Sequence, residues 1–218
     1  MMRKVIFLNG SPKKRRAVTE KFINITKDSF SGRVESETVY IYETEPEDEL
    51  FEKVYEADAV VMAQPLYVDC LPAGVLEFMK AYGEFVKDRR PSGTEMYFII
   101  NCGFLENRQN DTAIRILEIF AEKTGFDFRG GVSVGSGAII LTTNKKLRLE
   151  GMLKELADEL GRSDAFEDKG EKRIRQIDAA MPRFLFKAKA DKAWIEAGAK
   201  KGLSKKDLKQ KYFEQTAL

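Results

Sequence analysis

The 218-residue chain contains no histidine. That absence removes Ser-His-Asp and Cys-His catalysis, HExxH zinc sites and histidine proton shuttles from consideration. Cysteine is nearly absent as well. Cys70 and Cys102 are too few for a disulfide framework or for most cysteine-rich metal or iron–sulfur sites, and no metal site is expected. No apolar run approaches the roughly 18–20 residues of a membrane-spanning helix. The opening MMRKVIFLNGSP is too short in its apolar part for a signal peptide and is cut by a polar turn. These absences set the expectation of a cytoplasmic protein with no membrane partner. An excess of either charge is missing too: 37 Lys and Arg face 35 Asp and Glu, for a net +2. If the chain is an enzyme, its chemistry has to come from carboxylates, Lys, Tyr, Cys or a bound cofactor.

What is present suits a single α/β domain with an extension. The composition is 43% hydrophobic, enough for a core, and 33% charged. The organising stretch is Val5 to Arg16, VIFLNGSPKKRR. Val5 to Leu8 read as a short buried strand, Asn9 to Pro12 break it, and a helical pattern starts near Ala17 or Val18. The turn lies at the carboxyl end of the first strand, where open α/β sheets bind ligands. Its backbone N–H groups, the Ser11 hydroxyl, a helix N-terminus and the cations Lys13, Lys14, Arg15 and Arg16 suit an anion such as a phosphate.

Further along, Arg33–Tyr42 reads as a second strand at an edge, because its first half is polar. A short helix over Leu50–Ala57 precedes a third strand, Asp58–Ala63, whose unbroken apolar run fits a central parallel position. Ala73–Lys87 is an amphipathic helix after the prolines at 65 and 72, and Glu95–Ile100 is a fourth strand. Thr112–Lys123 is a helix capped by Gly125, Phe126–Ser136 is a fifth strand, and Lys146–Leu160 is a fifth helix. The alternation implies a parallel sheet with helices on both faces. Residues 1–162 are taken as this domain. Residues 163–218 form a C-terminal helical extension, packed on it or on a partner subunit, with too few apolar residues for a core of its own. From Asp164 onward 14 basic residues face 9 acidic ones, interleaved along a helical pattern, which gives no reason to expect nucleic acid as a partner.

Three strand ends should meet at the ligand crevice: Asn9–Thr19, Gln64–Leu71 and Asn101–Gln109. The first carries neither GxGxxG nor GxxxxGK[ST], so a dinucleotide Rossmann site and a P-loop are both set aside. A phosphatase cysteine is missing from the first turn, and the third strand ends in Gln64 where a phospho-receiver needs Asp.

The segments NGSPKK, QPLYVDCLPAGVLEFMK and NCGFLENRQN resemble the flavodoxin-fold NAD(P)H-dependent FMN reductase and NAD(P)H-quinone dehydrogenase families, over roughly residues 3–145. The resemblance implies a flavodoxin-like three-layer α/β/α fold with a five-stranded parallel sheet of order 2-1-3-4-5. It implies FMN as cofactor, NAD(P)H as co-substrate, a small-molecule electron acceptor and a homo-oligomer, namely a dimer. By the same resemblance Ser11, Lys13 and Thr19 hold the FMN phosphate. Pro65, Leu66, Tyr67 and Val68 pack along the isoalloxazine, and Asn101, Cys102, Gly103 and Phe104 border its other edge. Where the families continue the first loop with Gly-Asn-Ser/Thr, this chain has Arg15-Arg16-Ala17-Val18-Thr19. Two arginines could neutralise a phosphate, or they could crowd the loop and leave a binding or regulatory module of the same fold without flavin. An electron carrier without substrate specificity is a third reading, for which the acidic Glu43–Glu49 loop would be the docking surface.

Plainer readings stand beside each of these. Ser11 could be a turn and cap residue, Lys13 to Arg16 a solvated basic turn, and Tyr67 an edge cover for the core. Cys102, with no histidine partner, could be a buried small hydrophobe. Gly135-Ser136-Gly137, after the fifth strand, could shape the site or be a plain turn, and the turn is the preferred reading. Hydride transfer through a flavin needs no side-chain acid or base, which suits a chain without histidine.

Overall fold

The computed structural model describes residues 2–31, 34–162, 171–179 and 181–209. The chain divides into two compact units, Met1–Ala180 and Met181–Leu218. The first is a parallel sheet of order β2-β1-β3-β4-β5-β6. Its strands are β1 (Arg3–Asn9), β2 (Val34–Tyr40), β3 (Ala59–Pro65), β4 (Glu95–Asn101), β5 (Asp127–Val134) and β6 (Arg173–Ile177). Its helices are α1 (Val18–Asp28), α2 (Asp48–Tyr55), α3 (Ala73–Val86), α4 (Asp111–Thr124), the single turn α5 (Gly137–Ile140) and α6 (Lys146–Leu160). The second unit holds α7 (Arg183–Ala199) and a short 3-10 turn, Asp207–Lys209. No helix among the described residues is long and apolar enough to cross a membrane.

The central strands are apolar on both faces because both faces are covered. Ile6, Leu8, Val60, Met62, Phe98 and Ile100 pack with Phe51, Val75, Phe78, Tyr82 and Leu117 of α2, α3 and α4. Phe7, Val61, Tyr97, Ile99 and Val132 pack with Phe22 and Ile23 of α1 and Leu149, Leu153 and Leu156 of α6. The first face is rich in rings: Tyr82 stacks on Phe126 at 5.2 Å, and Phe51 meets Tyr82 edge-on at 5.7 Å. Gly125 ends α4 in the left-handed conformation (φ 78), as its position predicts. The register sets the site. Asn9 lies beside Ala63, Pro65 beside Asn101, and Asn101 beside Val134, so the carboxyl ends of β1, β3, β4 and β5 form one rim.

The sheet has six strands, not the five expected. The first five keep the expected order and β6 adds to the far edge. It falls within residues 163–218, which the sequence reads as a helical extension; residues 163–170 lie outside the described residues. Only Ile177 of this strand is buried. Its arginines hold it instead. Arg173 and Arg175 both bond the carboxylate of Glu159 on α6, and Arg175 Nε donates to Glu155 at 2.8 Å. Just past β6, Asp178 Oδ1 accepts from the Asn107 backbone N–H at 2.7 Å, and Ala179 N–H donates to Leu105 O at 3.1 Å. The sixth strand therefore braces the loop that follows β4.

Candidate functional site

The first loop is shaped by Asn9, which is wholly buried at the end of β1. Its Oδ1 accepts the Ser11 N–H at 3.0 Å and its Nδ2 donates to Glu20 at 2.8 Å. Ser11 then turns the chain: its Oγ accepts from Lys13 N–H and its carbonyl accepts from Lys14 N–H at 2.9 Å. Lys14 is left-handed (φ 53), and Lys14–Arg16 form one 3-10 turn leading to α1. Ala17, at the N-cap of α1, has no polar side chain to offer, and no side chain caps that helix. The first N–H groups of α1 and the positive end of its dipole are thus presented to a ligand.

The second loop is a tight hairpin. Tyr67 and Cys70 exchange backbone bonds at 2.9 and 3.1 Å around Val68 and Asp69, both left-handed (φ 49 and 58). A β-branched valine in that conformation is strained, and it stands 98% exposed at the tip. The third loop follows Asn101, whose Nδ2 donates to Thr19 Oγ1 at 3.1 Å and to Gln64 O at 3.4 Å. Asn101 O accepts the Leu66 N–H at 2.7 Å. One asparagine thus ties all three loops together.

The loops enclose a cleft of about 400 Å³. All eleven residues anticipated from sequence line it: Ser11, Lys13 and Thr19 from the first loop, Pro65 to Val68 from the second, and Asn101 to Phe104 from the third. Arg16, Ala17 and Val18 extend the first wall, and Ser136, Ala138 and Ile139 close the far side. Of these, Ser136 belongs to the glycine-flanked segment that the sequence leaves open between a site role and a plain turn, with the turn preferred, while Ala138 and Ile139 carry no sequence signal of their own. The signal for Ser136 was there: its segment is the fourth strand end on the same rim. Ser136 is left-handed (φ 49), and its Oγ and N–H both donate to Phe104 O.

The lining contains the cations Lys13 and Arg16 and no acidic side chain. Lys14 and Arg15 face away, towards Glu43. Cys102 is buried, and burial pushes its thiol up from the ordinary cysteine value, so it sits neutral among the carbonyls of Phe104, Glu106 and Val134. That environment is the reverse of an activated nucleophile. Among the described residues no group of three or more His, Cys, Asp or Glu side chains could hold a metal ion.

No family model matches the chain, and no curated protein matches it. Solved structures do match in fold. An FMN-dependent NADH-azoreductase from Bacillus anthracis str. Ames Ancestor, solved with FMN, aligns at 16% identity over 74% of this chain and 100% of its own, with a TM-score of 0.58. An NADPH-quinone reductase from P. pentosaceus aligns at 17% identity over 74% and 99%, with a TM-score of 0.57. An NAD(P)H:quinone oxidoreductase from Methanothermobacter marburgensis aligns at 12% identity over 77% and 98%, with a TM-score of 0.58. At these identities the likeness establishes a flavodoxin-like fold.

Proposed function

We propose that the protein is an FMN-dependent oxidoreductase that takes a hydride from NADH or NADPH and delivers electrons to a small acceptor such as a quinone, a free flavin or an azo compound. The observation that carries this reading is the polarity of this cleft. One end has the Ser11 hydroxyl, open N–H groups of α1 and two cations, and the rest is mainly apolar and aromatic, with Asn101 and Ser136 among it. A phosphate suits the first end and a flat ring the second. The structural neighbours named for FMN, NADH and quinone reduction support the same assignment.

When bound, FMN would supply the redox chemistry. The protein's own residues would then do four things. Ser11, Thr19, Lys13 and Arg16 would neutralise and orient the phosphate. Pro65 to Val68 would pack along one side of the ring, and Asn101 to Phe104 along the other. Asn101 would hold both walls in register with the first loop, through Thr19 and the Gln64 carbonyl. The apolar lining would exclude water from the reacting face.

The alternative of a flavin-free module depended on crowding by Arg15 and Arg16. Arg15 stacks outward on Tyr40 at 4.1 Å and pairs with Glu43, and the hollow remains open beside Arg16. The decisive measurement is an absorbance spectrum with an FMN titration. FMN is expected to bind with a Kd of about 1 µM or below, roughly −8 kcal/mol, and the loaded protein to oxidise NAD(P)H. A colourless protein that takes up no added FMN would overturn the assignment.

A homodimer belongs to the same reading. Tyr67, Val68 and Phe104 stand exposed at the mouth of the cleft, and such apolar clusters mark interaction surfaces. Gel filtration should give twice the monomer mass at two loading concentrations, and Val68→Lys should shift it towards monomer. A wild-type monomer at both concentrations removes this part of the reading.

A further inference from the structure

Four consecutive cations, Lys13 to Arg16, follow Pro12, yet only Lys13 and Arg16 line the cleft. The other two are engaged on the outer side of the loop. Lys14 Nζ lies 3.5 Å from Glu43 Oε1, and Arg15 Nη1 bonds Glu43 Oε2. The Arg15 guanidinium also covers the Tyr40 ring at 4.1 Å. The Tyr40 hydroxyl donates to Glu20 Oε1 at 2.7 Å, and Glu20 Oε2 accepts from Asn9 Nδ2 at 2.8 Å. Asn9 Oδ1 accepts the Ser11 N–H, which brings the chain of contacts back to the loop. A closed ring therefore runs from Ser11 through Asn9, Glu20, Tyr40, Arg15 and Glu43 to Lys14. It joins the loop to the first turn of α1 and to the end of β2. Neither Tyr40, Glu20 nor Glu43 lines the cleft.

The ring has a mechanical consequence. Lys14 is left-handed without being glycine, a conformation that surrounding contacts must hold in place. Backbone N–H groups bind an anion well only when they already point at it. A loop that must be ordered at the moment of binding gives up affinity to conformational entropy. Tyr40 and Glu43 each keep one protonation state. Burial, and then the bond to Glu20, push the Tyr40 phenol up to about 12, so it remains a donor. The Arg15 bond holds the Glu43 carboxyl below the usual carboxylate range, so it remains charged.

We propose that Tyr40 and Glu43 are positioning residues that latch the outer face of the Ser11–Ala17 loop. In doing so they set how strongly the cleft prefers a phosphate-bearing ligand over its phosphate-free counterpart. The proposal rests on the flavin reading of the cleft. The latch touches neither the Pro65–Val68 nor the Asn101–Phe104 wall, so contacts to a ring are independent of it.

The test titrates wild type, Tyr40→Phe and Glu43→Gln with FMN and with riboflavin by flavin fluorescence, alongside hydrogen exchange of the Gly10–Ala17 amides. Tyr40→Phe keeps the ring beneath Arg15 and removes only the donor to Glu20. FMN affinity is expected to fall about tenfold in Tyr40→Phe and about threefold in Glu43→Gln. Riboflavin should stay within about twofold, and the loop amides should exchange faster. Equal losses for both flavins, or unchanged FMN affinity, would overturn the latch. If wild type binds neither flavin, the flavin reading fails on its own, and inorganic phosphate becomes the probe. The latch then stands if phosphate slows loop exchange in wild type more than in Tyr40→Phe, and falls if the two respond alike.

Discussion

Alanine at Gly131 is expected to destabilise the protein by about 4 kcal/mol and to lower its melting temperature by about 10 °C. Gly131 sits in β5 opposite Phe98 of β4, next to the register shift between Met96 and Tyr97. A Cβ there would lie 2.0 Å from the Phe98 carbonyl oxygen and 2.7 Å from its nitrogen. Both are backbone atoms of an interior strand packed on both faces, so nothing can swing aside. Gly130 makes a useful contrast. It is left-handed (φ 93), and its Cβ would meet the Arg173 carbonyl at 2.4 Å, on edge strand β6. An edge strand can yield. Gly130→Ala is therefore expected to cost about 2 kcal/mol, with faster hydrogen exchange confined to Arg173–Ile177. Urea unfolding of the two variants checks the order. A Gly131→Ala protein melting within about 2 °C of wild type would show that the β4–β5 spacing is not as close as described.

The same region shows where the sequence stops being legible. β1, β3 and β4 announce themselves as unbroken apolar runs, because a parallel strand covered on both faces must be apolar. β6 reads RIRQI, and only Ile177 meets the core. Beside its backbone ladder with β5, what holds β6 is Glu159, a buried carboxylate on the preceding helix that accepts from both of its arginines. Nothing in local periodicity links Glu159 to Arg173 and Arg175, so the stretch reads as part of the helical extension.

The site was more legible than the sheet edge. Strand ends punctuated by Asn9-Gly10-Ser11, Gln64-Pro65 and Asn101-Cys102-Gly103 fall on one rim because parallel strands in register end together. The segment after β5 obeys the same rule, and Ser136 could have been placed by it. The split between Arg15 and Arg16 could not. One turns to Tyr40 and Glu43 and the other to the cleft, and that depends on where β2 delivers its last residues. Four cations in a row carry no record of which way each one points.

Gly10→Ala is the second substitution expected to have a large effect, this time on binding. The Gly10 N–H donates to Ala63 O at 2.8 Å, which holds the start of the loop against β3. An added Cβ would lie 2.3 Å from Val75 Cγ2 and 3.2 Å from Gln64 Cβ. Val75 is fully buried in the first turn of α3 and Gln64 is fully buried at the end of β3, so the loop is the part that must move. Lifting Gly10 pulls the Ser11 N–H from Asn9 and swings the anion cradle away from the α1 terminus. FMN affinity is expected to fall about 100-fold, the scale of ångström-level misplacement in a preorganised site, with an overpacking cost of about 1–3 kcal/mol in stability. The offending atom can be removed separately. Val75→Ala deletes Cγ2 without touching a cleft-lining residue, so the double variant should bind FMN more tightly than Gly10→Ala alone, a coupling expected only of residues in contact. Isothermal titration of the four proteins in that cycle measures it. If Gly10→Ala and the double variant bind FMN equally weakly, the loop is not seated on Val75, and the cradle owes its shape to something other than the close approach of Gly10 to α3.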